Sequence, residues 1–334
     1  MTHHTIAVHH VVQVLQGTER RGVASAALLQ RAGISAALLE APLARVSQEQ
    51  YARLLRVVQH ALRDEFWGLC SQPLRLGSFA QCCRLLIHTP TLADALRVGF
   101  RYFHGELPDF VARLGVDDGA ATVRIATPLP AEPSLLYAER TFLFFTFGLA
   151  SWLVARRIPL SAVGYRGPAP PNVAETARAF QAKVRHGQPH FSLSFDARWL
   201  QLPMVQNAQS LREFLQQAPA NLLVKYRDKA SVTERIRRLL RSHLRGEMPS
   251  LDEVGRVLGM TPQTLRRRLR EEGQGFQSLK DNLRRDAAIE YLARPELTLL
   301  DIADQTGFSE ASTFHRAFKK WTGVAPGEYR QRHR

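Results

Sequence analysis

The stretch Ser309-Glu-Ala-Ser-Thr-Phe-His-Arg-Ala-Phe-Lys-Lys-Trp321, introduced by Thr306-Gly307-Phe308, decides the reading of this chain. Phe314, Phe318 and Trp321 recur at the spacing of a helix packed on one side. Ser309 is a good N-cap, so the helix is expected to begin there. At 100° per residue, Ser312 and Arg316 point away from the apolar stripe, with His315 and Lys319 flanking them. Upstream, Leu297 to Gln305 gives a second short amphipathic helix, and Gly307 supplies the turn. Two short helices joined by such a turn, the second basic on its outer face, form a helix-turn-helix that enters a DNA groove. An ordinary helical hairpin with a solvated charged face would look similar.

The unit occurs twice, which weighs against the ordinary hairpin. Leu251 to Gly259 followed by Thr261 to Leu269 has the same construction, with Arg267 in register with Arg316 and one residue fewer in its turn. Between the units, Phe276 to Arg294 carries Leu279, Leu283, Ala287 and Tyr291 on one stripe and reads as a linker helix. A rod of roughly 27 Å with packing at both ends would hold two readers about one turn of DNA apart.

Leu299-Xaa-Asp-Ile-Ala303, Gly307-Phe308, Ser312, Phe314-Xaa-Arg316-Xaa-Phe318-Lys319 and Gly323-Xaa-Xaa-Pro326-Xaa-Xaa-Tyr329-Arg330 resemble the C-terminal signature of AraC/XylS-type transcription regulators. The resemblance covers roughly 231–334. It implies two helix-turn-helix units on a linker helix, with both second helices in successive major grooves of double-stranded DNA. A fainter likeness extends upstream. Asp64-Xaa-Phe-Xaa-Gly68-Leu69, the helix opening at Thr91-Leu92 with Ala95-Leu96, Tyr102, Phe195-Asp196 and Leu202-Pro203-Met204 are similar to the arabinose-binding-type effector domain of some such regulators. Such domains are associated with varied small effectors, so the likeness selects no sugar.

The side chains that would read DNA follow from chemistry. Arginine offers a fork matching guanine O6 and N7, and glutamine pairs with adenine. The first reader presents Gln263, Arg266 and Arg267, with Arg270 near the groove edge. The second presents Ser312, His315 and Arg316, with Glu310 at its start. The resemblance places base or phosphate contacts at these positions, and Lys319 and Lys320 suit the phosphate backbone. Arg235, Arg237, Arg238 and Arg241, on the helix Val232 to Leu244, either touch phosphate or form a solvated face.

Composition sets the frame. The 334 residues suffice for two domains, and 45% hydrophobic residues can fill their cores. A net charge of +15 favours polyanionic partners, although the excess is shared by both parts of the chain. Cys70, Cys82 and Cys83 lack metal-ligand spacing, and His3, His4, His9 and His10 sit beside a terminus, so no metal or other cofactor is expected. The start lacks a charged-then-apolar signal, and cytoplasm is the natural compartment.

In chain order, helices are expected over Thr18 to Ala32, from Ser47-Gln-Glu-Gln50 to Arg63, from Ser78, from Thr91 to Phe103, and over Ser134 to Ala155. Residues 110–126 read as a hairpin around Asp118-Gly119. Strands are expected over Leu160 to Tyr165 and Phe191 to Phe195, with a helix over 172–182 between them. Phe142 to Ala155 is apolar all round but too short to span a bilayer. It is either the core of its domain or a surface shared with a second copy of the chain, a homodimer.

The expected architecture is an α+β effector domain (1–215), a linker (216–230) and an all-α double helix-turn-helix domain (231–334). The expected function is a sequence-specific transcription regulator controlled by a small-molecule effector, meeting RNA polymerase if it activates. A ligand-independent DNA-binding regulator, its first domain serving dimerisation or protein contacts, is the alternative. An enzyme with an appended reader is disfavoured, because Cys82-Cys83 has no nucleophile-elbow or Pro-Cys setting and no phosphate loop or dinucleotide fingerprint appears.

Overall fold

A computed structural model describes residues 5–168, 180, 182, 184–217, 232–272 and 274–333. Most of the linker expected over 216–230, most of the helix expected over 172–182, and His3 and His4 lie outside these residues. The chain forms two compact units that do not follow chain order. One joins Met1–Leu15 and Ala24–Val57 to Lys229–Arg334; the other holds Gln16–Val23 and Val58–Asp228.

The second of these units is mixed α and β. Its five-stranded sheet takes the order Val111–Asp117, Ala120–Ala126, Phe191–Asp196, Leu160–Arg166, Val184–Gln188. All neighbours are antiparallel except the last pair, which is parallel. The expected hairpin forms, with Asp118 and Gly119 both at positive φ between the paired Asp117 and Ala120. The apolar helix, Pro133–Leu153, is core: Phe142, Leu143, Phe147, Leu149 and Leu153 are all buried. Around it stand Ser78–Leu86, Leu92–Glu106 and Ala208–Gln217, sharing one cluster that includes Cys82, Leu86, Leu149, Leu153 and Phe214. Thr91 caps its helix as expected, its Oγ1 accepting the Asp94 amide at 3.3 Å.

Asp64 organises the turn that follows Leu62. Its buried carboxylate accepts the amides of Phe66, Gly68 and Leu74 at 2.8, 2.8 and 2.9 Å. The turn holds Trp67 at φ 56 and Gly68 at φ 74. A side chain at 68 would also meet the Gly17 carbonyl oxygen at 2.5 Å, so the Asp-Xaa-Phe-Xaa-Gly pattern is a folding requirement of this turn.

The other unit contains the helices Val232–Arg241, Leu251–Leu258, Pro262–Glu271, Phe276–Leu292, Leu299–Gln305, Ala311–Thr322 and Pro326–His333. A small sheet, Thr5–Ala7 paired antiparallel with Arg45–Ser47, packs among them. Thr5 Oγ1 donates to Asp286 Oδ1 at 2.6 Å, and the Tyr329 hydroxyl donates to the Arg45 carbonyl. Ser47 and Gln50 form the expected reciprocal cap, at 2.9 and 3.1 Å. The helix expected over 18–32 is two: one ends at Arg20, and the next runs Ser25–Ala32 and stops on Gly33 at φ 70. Gly22 at φ 69 reverses the chain between them, with Val23 N–H donating to Thr18 O at 2.9 Å.

Candidate nucleic-acid interface

Each reader is built by local capping. In the first, Ser250 and Glu253 form a capping box that starts Leu251–Leu258, and Gly259 ends it at φ 65. Thr261 then caps Pro262–Glu271, accepting the Thr264 amide at 3.2 Å, with Pro262 at the first helical position. Leu265 and Leu269 are buried in a cluster with Val254, Leu279 and Leu283, which turns the opposite face outward. Gln263, Arg266, Arg267 and Arg270 are all exposed on that face, as is Arg268.

In the second reader, Thr298 and Asp301 form the equivalent box. Gly307 makes the turn at φ 75, and the recognition helix is Ala311–Thr322. Its cap is Glu310, one residue later than the Ser309 cap predicts. Phe308 packs against Phe314 and Trp321 at ring distances of 5.7 and 6.0 Å, and Ser309 and Glu310 complete the longer turn. Glu310 is the cap position by backbone only; its carboxylate accepts the Ser312 hydroxyl at 3.1 Å. Phe314 and Phe318 are fully buried, while Ser312, Arg316, Lys319 and Lys320 are exposed. His315 is half-buried, its ring edge-on to Phe314 at 6.1 Å.

The readers share a frame. A Cβ on Gly307 would meet the carbonyl oxygens of Gly246 and Leu244 at 2.5 and 2.8 Å, so the second turn closes directly on the loop before the first reader. Arg284, from the linker helix, donates to Gly307 O at 3.4 Å and lies over the Phe308 ring at 5.1 Å. Phe276–Leu292 is continuous and buries Leu279, Leu283 and Ala287 as the stripe predicts, with Tyr291 packed against the same cluster. It also buries Asp286, Ile289 and Leu292, so it is packed on more than one side. Sequence periodicity does not reveal Arg284 or Asp286, because neither lies on the apolar stripe.

Arg237 belongs to neither alternative expected for its helix. It pairs with Glu234 at 3.2 Å, both side chains being nearly buried. Arg238 is exposed, and Arg235 and Arg241 are half-buried.

The three cysteines are buried thiols. Burial pushes Cys82 up to about 12 and Cys70 and Cys83 well above the ordinary thiol value, the opposite of an activated nucleophile. Among the described residues, no group of three or more His, Cys, Asp or Glu is placed to hold a metal ion, and no helix is long and apolar enough to cross a membrane.

Two capped helix-turn-helix units with arginine-bearing outer faces, fixed to one linker helix, define a DNA-binding protein of the double-reader class. A family model for the N-terminal arabinose-binding domain of AraC transcription regulators matches residues 22–204, and a helix-turn-helix domain model matches 254–332. The chain belongs to the AraC family of transcription regulators. It is 26% identical over 327 residues to the ornithine utilization regulator of Pseudomonas aeruginosa, covering 98% of this chain and 96% of that protein. It is 27% identical over 328 residues to an uncharacterised regulator of Mycobacterium tuberculosis, covering 93% and 92% of the two chains. The regulator VirS of the same species is 39% identical over 101 residues, 30% of either chain.

Proposed function

We propose that this regulator reads two successive major grooves with one chain and that a small molecule bound outside the readers controls it. Gln263, Arg266 and Arg267 contact bases in one groove, and Ser312, His315 and Arg316 contact bases in the next. Arg270 and Lys319 set register on phosphate. The observation that carries this reading is the shared frame: Gly307 closed on the Leu244 and Gly246 carbonyls fixes the two exposed arginine faces on one body. The arabinose-binding-type match over 22–204 supports effector control. The reading places the protein in the cytoplasm, gives it no catalytic step, and makes RNA polymerase a partner where it activates. A second copy is a further partner when an operator carries repeated sites.

Binding to operator and to random DNA over a salt series tests it. Arg316→Ala should cost roughly 1–3 kcal/mol and relax specificity, whereas Lys319→Ala should weaken both DNAs and lower the salt slope by about one. Equal losses on operator and random DNA for both variants would remove Arg316 from base reading.

A further inference from the structure

We infer that the cavity lined by Phe66, Trp67, Phe103, Phe142, Phe145 and Thr146 is the effector site and that it takes a small, neutral, aromatic molecule with one hydrogen-bonding group. The inference rests on the effector control proposed above. The cavity offers about 240 Å³ among helices of the mixed α and β unit. The space opens to solvent at one side, so an apolar ligand that displaces its water from these walls gains free energy. A cavity of about 150 Å³ already holds benzene, so this one has room for a fused bicyclic ring.

Its walls are rings. Phe103 meets Phe142 edge-on at 5.4 Å, Phe66 lies 6.5 Å from Phe142, and Trp67 meets Phe145 edge-on at 6.0 Å. Such edges and faces are the surfaces another aromatic ring packs against. The polar lining is sparse: Gln59, Glu65 and Thr146, with the Cys82 thiol. No lysine, arginine or aspartate lines it. Glu65 is already engaged, its two oxygens accepting the Gly77 and Phe79 amides at 2.7 Å each. A sugar would leave most of its hydroxyls unpaired here, and an amino acid would find no cation for its carboxylate. An anion would also face Glu65. A neutral ring with one hydroxyl or amide, reaching the Thr146 hydroxyl, meets none of these objections.

A second observation points to the same wall. Trp67 is held at φ 56, a conformation side chains rarely adopt, and the Asp64 carboxylate pins the turn on both sides of it. Backbone strain of this kind is kept where a side chain must be presented in one place, as in a ligand clamp.

The test uses the full chain and 2-naphthol as probe, with L-arabinose and L-ornithine as polar controls. 2-Naphthol should raise the melting midpoint saturably, and the two controls should not. Ala80→Trp, which fills the cavity from its half-buried rim, should weaken 2-naphthol at least tenfold while circular dichroism stays unchanged. Thr146→Val should weaken it about fivefold, and it decides the matter should Ala80→Trp fail to fold. Equal stabilisation of the wild type and Ala80→Trp would overturn the site, as would unchanged affinity in Thr146→Val. No saturable effect of 2-naphthol, or stabilisation by either control that Ala80→Trp abolishes, would overturn the ligand class. Operator binding is measured separately on the same preparations. Its absence would sink the regulator reading without touching the cavity, and its presence beside a failed probe would sink the ligand class alone.

Discussion

Thr5 and Asp286, 281 residues apart in the chain, are joined by a 2.6 Å hydrogen bond in which the threonine hydroxyl donates to the buried carboxylate. Arg285 shares that carboxylate at 2.7 Å, and Arg45 reaches Thr5 Oγ1 at 2.6 Å. Burial alone would raise the Asp286 carboxyl, but Arg285 and Arg45, with the Thr5 hydrogen bond, outweigh it and hold it below the usual range. The linker helix between the two readers is thus fastened from its outer side by the start of the chain.

Asp286→Asn should destabilise this unit by roughly 3 kcal/mol, because it removes the buried negative charge that Arg285 and Arg45 both face. Thr5→Val should cost about 1.5 kcal/mol, one hydrogen bond to a charged group. The folded carboxyl titrates below its unfolded value, so its contribution is complete above about pH 4 and is lost only in stronger acid. Thermal melts should therefore show a constant gap between wild type and Asp286→Asn from pH 6 to 8, narrowing below pH 4. A gap that widens in acid would contradict the assignment.

Gly307→Ala should uncouple the readers. The position combines φ 75 with carbonyl oxygens 2.5 and 2.8 Å from any Cβ, so both strain and collision oppose the substitution. Operator affinity should fall at least tenfold while helical content is largely kept. Gly115→Ala, in an exposed strand with open space around it, serves as the matched control and should bind normally. Normal operator binding by Gly307→Ala would mean that the two readers need no fixed phase.

Glu139 gives the other unit the opposite pH response. Its side chain is fully buried, one oxygen pairs with Arg166 at 2.9 Å and the other has no partner among the described residues. Burial raises the carboxyl to about 7, with Arg166 pulling it back only in part. A carboxyl raised on folding favours the folded state at low pH and loses that advantage as pH rises through its folded value. Stability of this unit should decline by roughly 3 kcal/mol between pH 4.5 and 7 and then level off. Glu139→Gln should flatten that slope in denaturant titrations; an unchanged slope would assign it to another group.

What was legible in the sequence was local. Ser47 with Gln50, Thr91 with Asp94, Asp118-Gly119, and the two glycine turns at 259 and 307 act within a few residues, and each forms as its spacing predicts. The outward positions of Arg267 and Arg316 follow from Leu265 and Phe314 being buried, which periodicity reveals. Contacts between distant segments were not legible. Nothing near Thr5 signals Asp286, and nothing near Tyr329 signals that its hydroxyl reaches the Arg45 carbonyl. Arg237 looked like one of a basic row because charge, not pairing, is what a sequence displays; Glu234 takes it out of solvent. The cavity is invisible for the same reason, since Phe66, Phe103 and Phe142 come from three separate segments.

Phe318→Ala separates folding from reading. Phe318 is fully buried against Phe314 and Tyr329, at ring distances of 5.7 and 5.3 Å. Its truncation should cost roughly 3–5 kcal/mol of stability. Arg316→Ala, on the exposed face of the same helix, should leave the unfolding free energy within about 0.5 kcal/mol of wild type. Equal destabilisation by both would place Arg316 in the packing rather than on the surface.

A dimethyl sulfate footprint of the operator, which reads guanine N7 in the major groove, taken with the wild type, Arg267→Ala and Arg316→Ala, tests the two-groove account most directly. The wild-type monomer should protect two adjacent major grooves about 10 base pairs apart. Arg267→Ala should weaken protection in one of them and Arg316→Ala in the other. A single protected groove, or the same groove lost in both variants, would contradict the account.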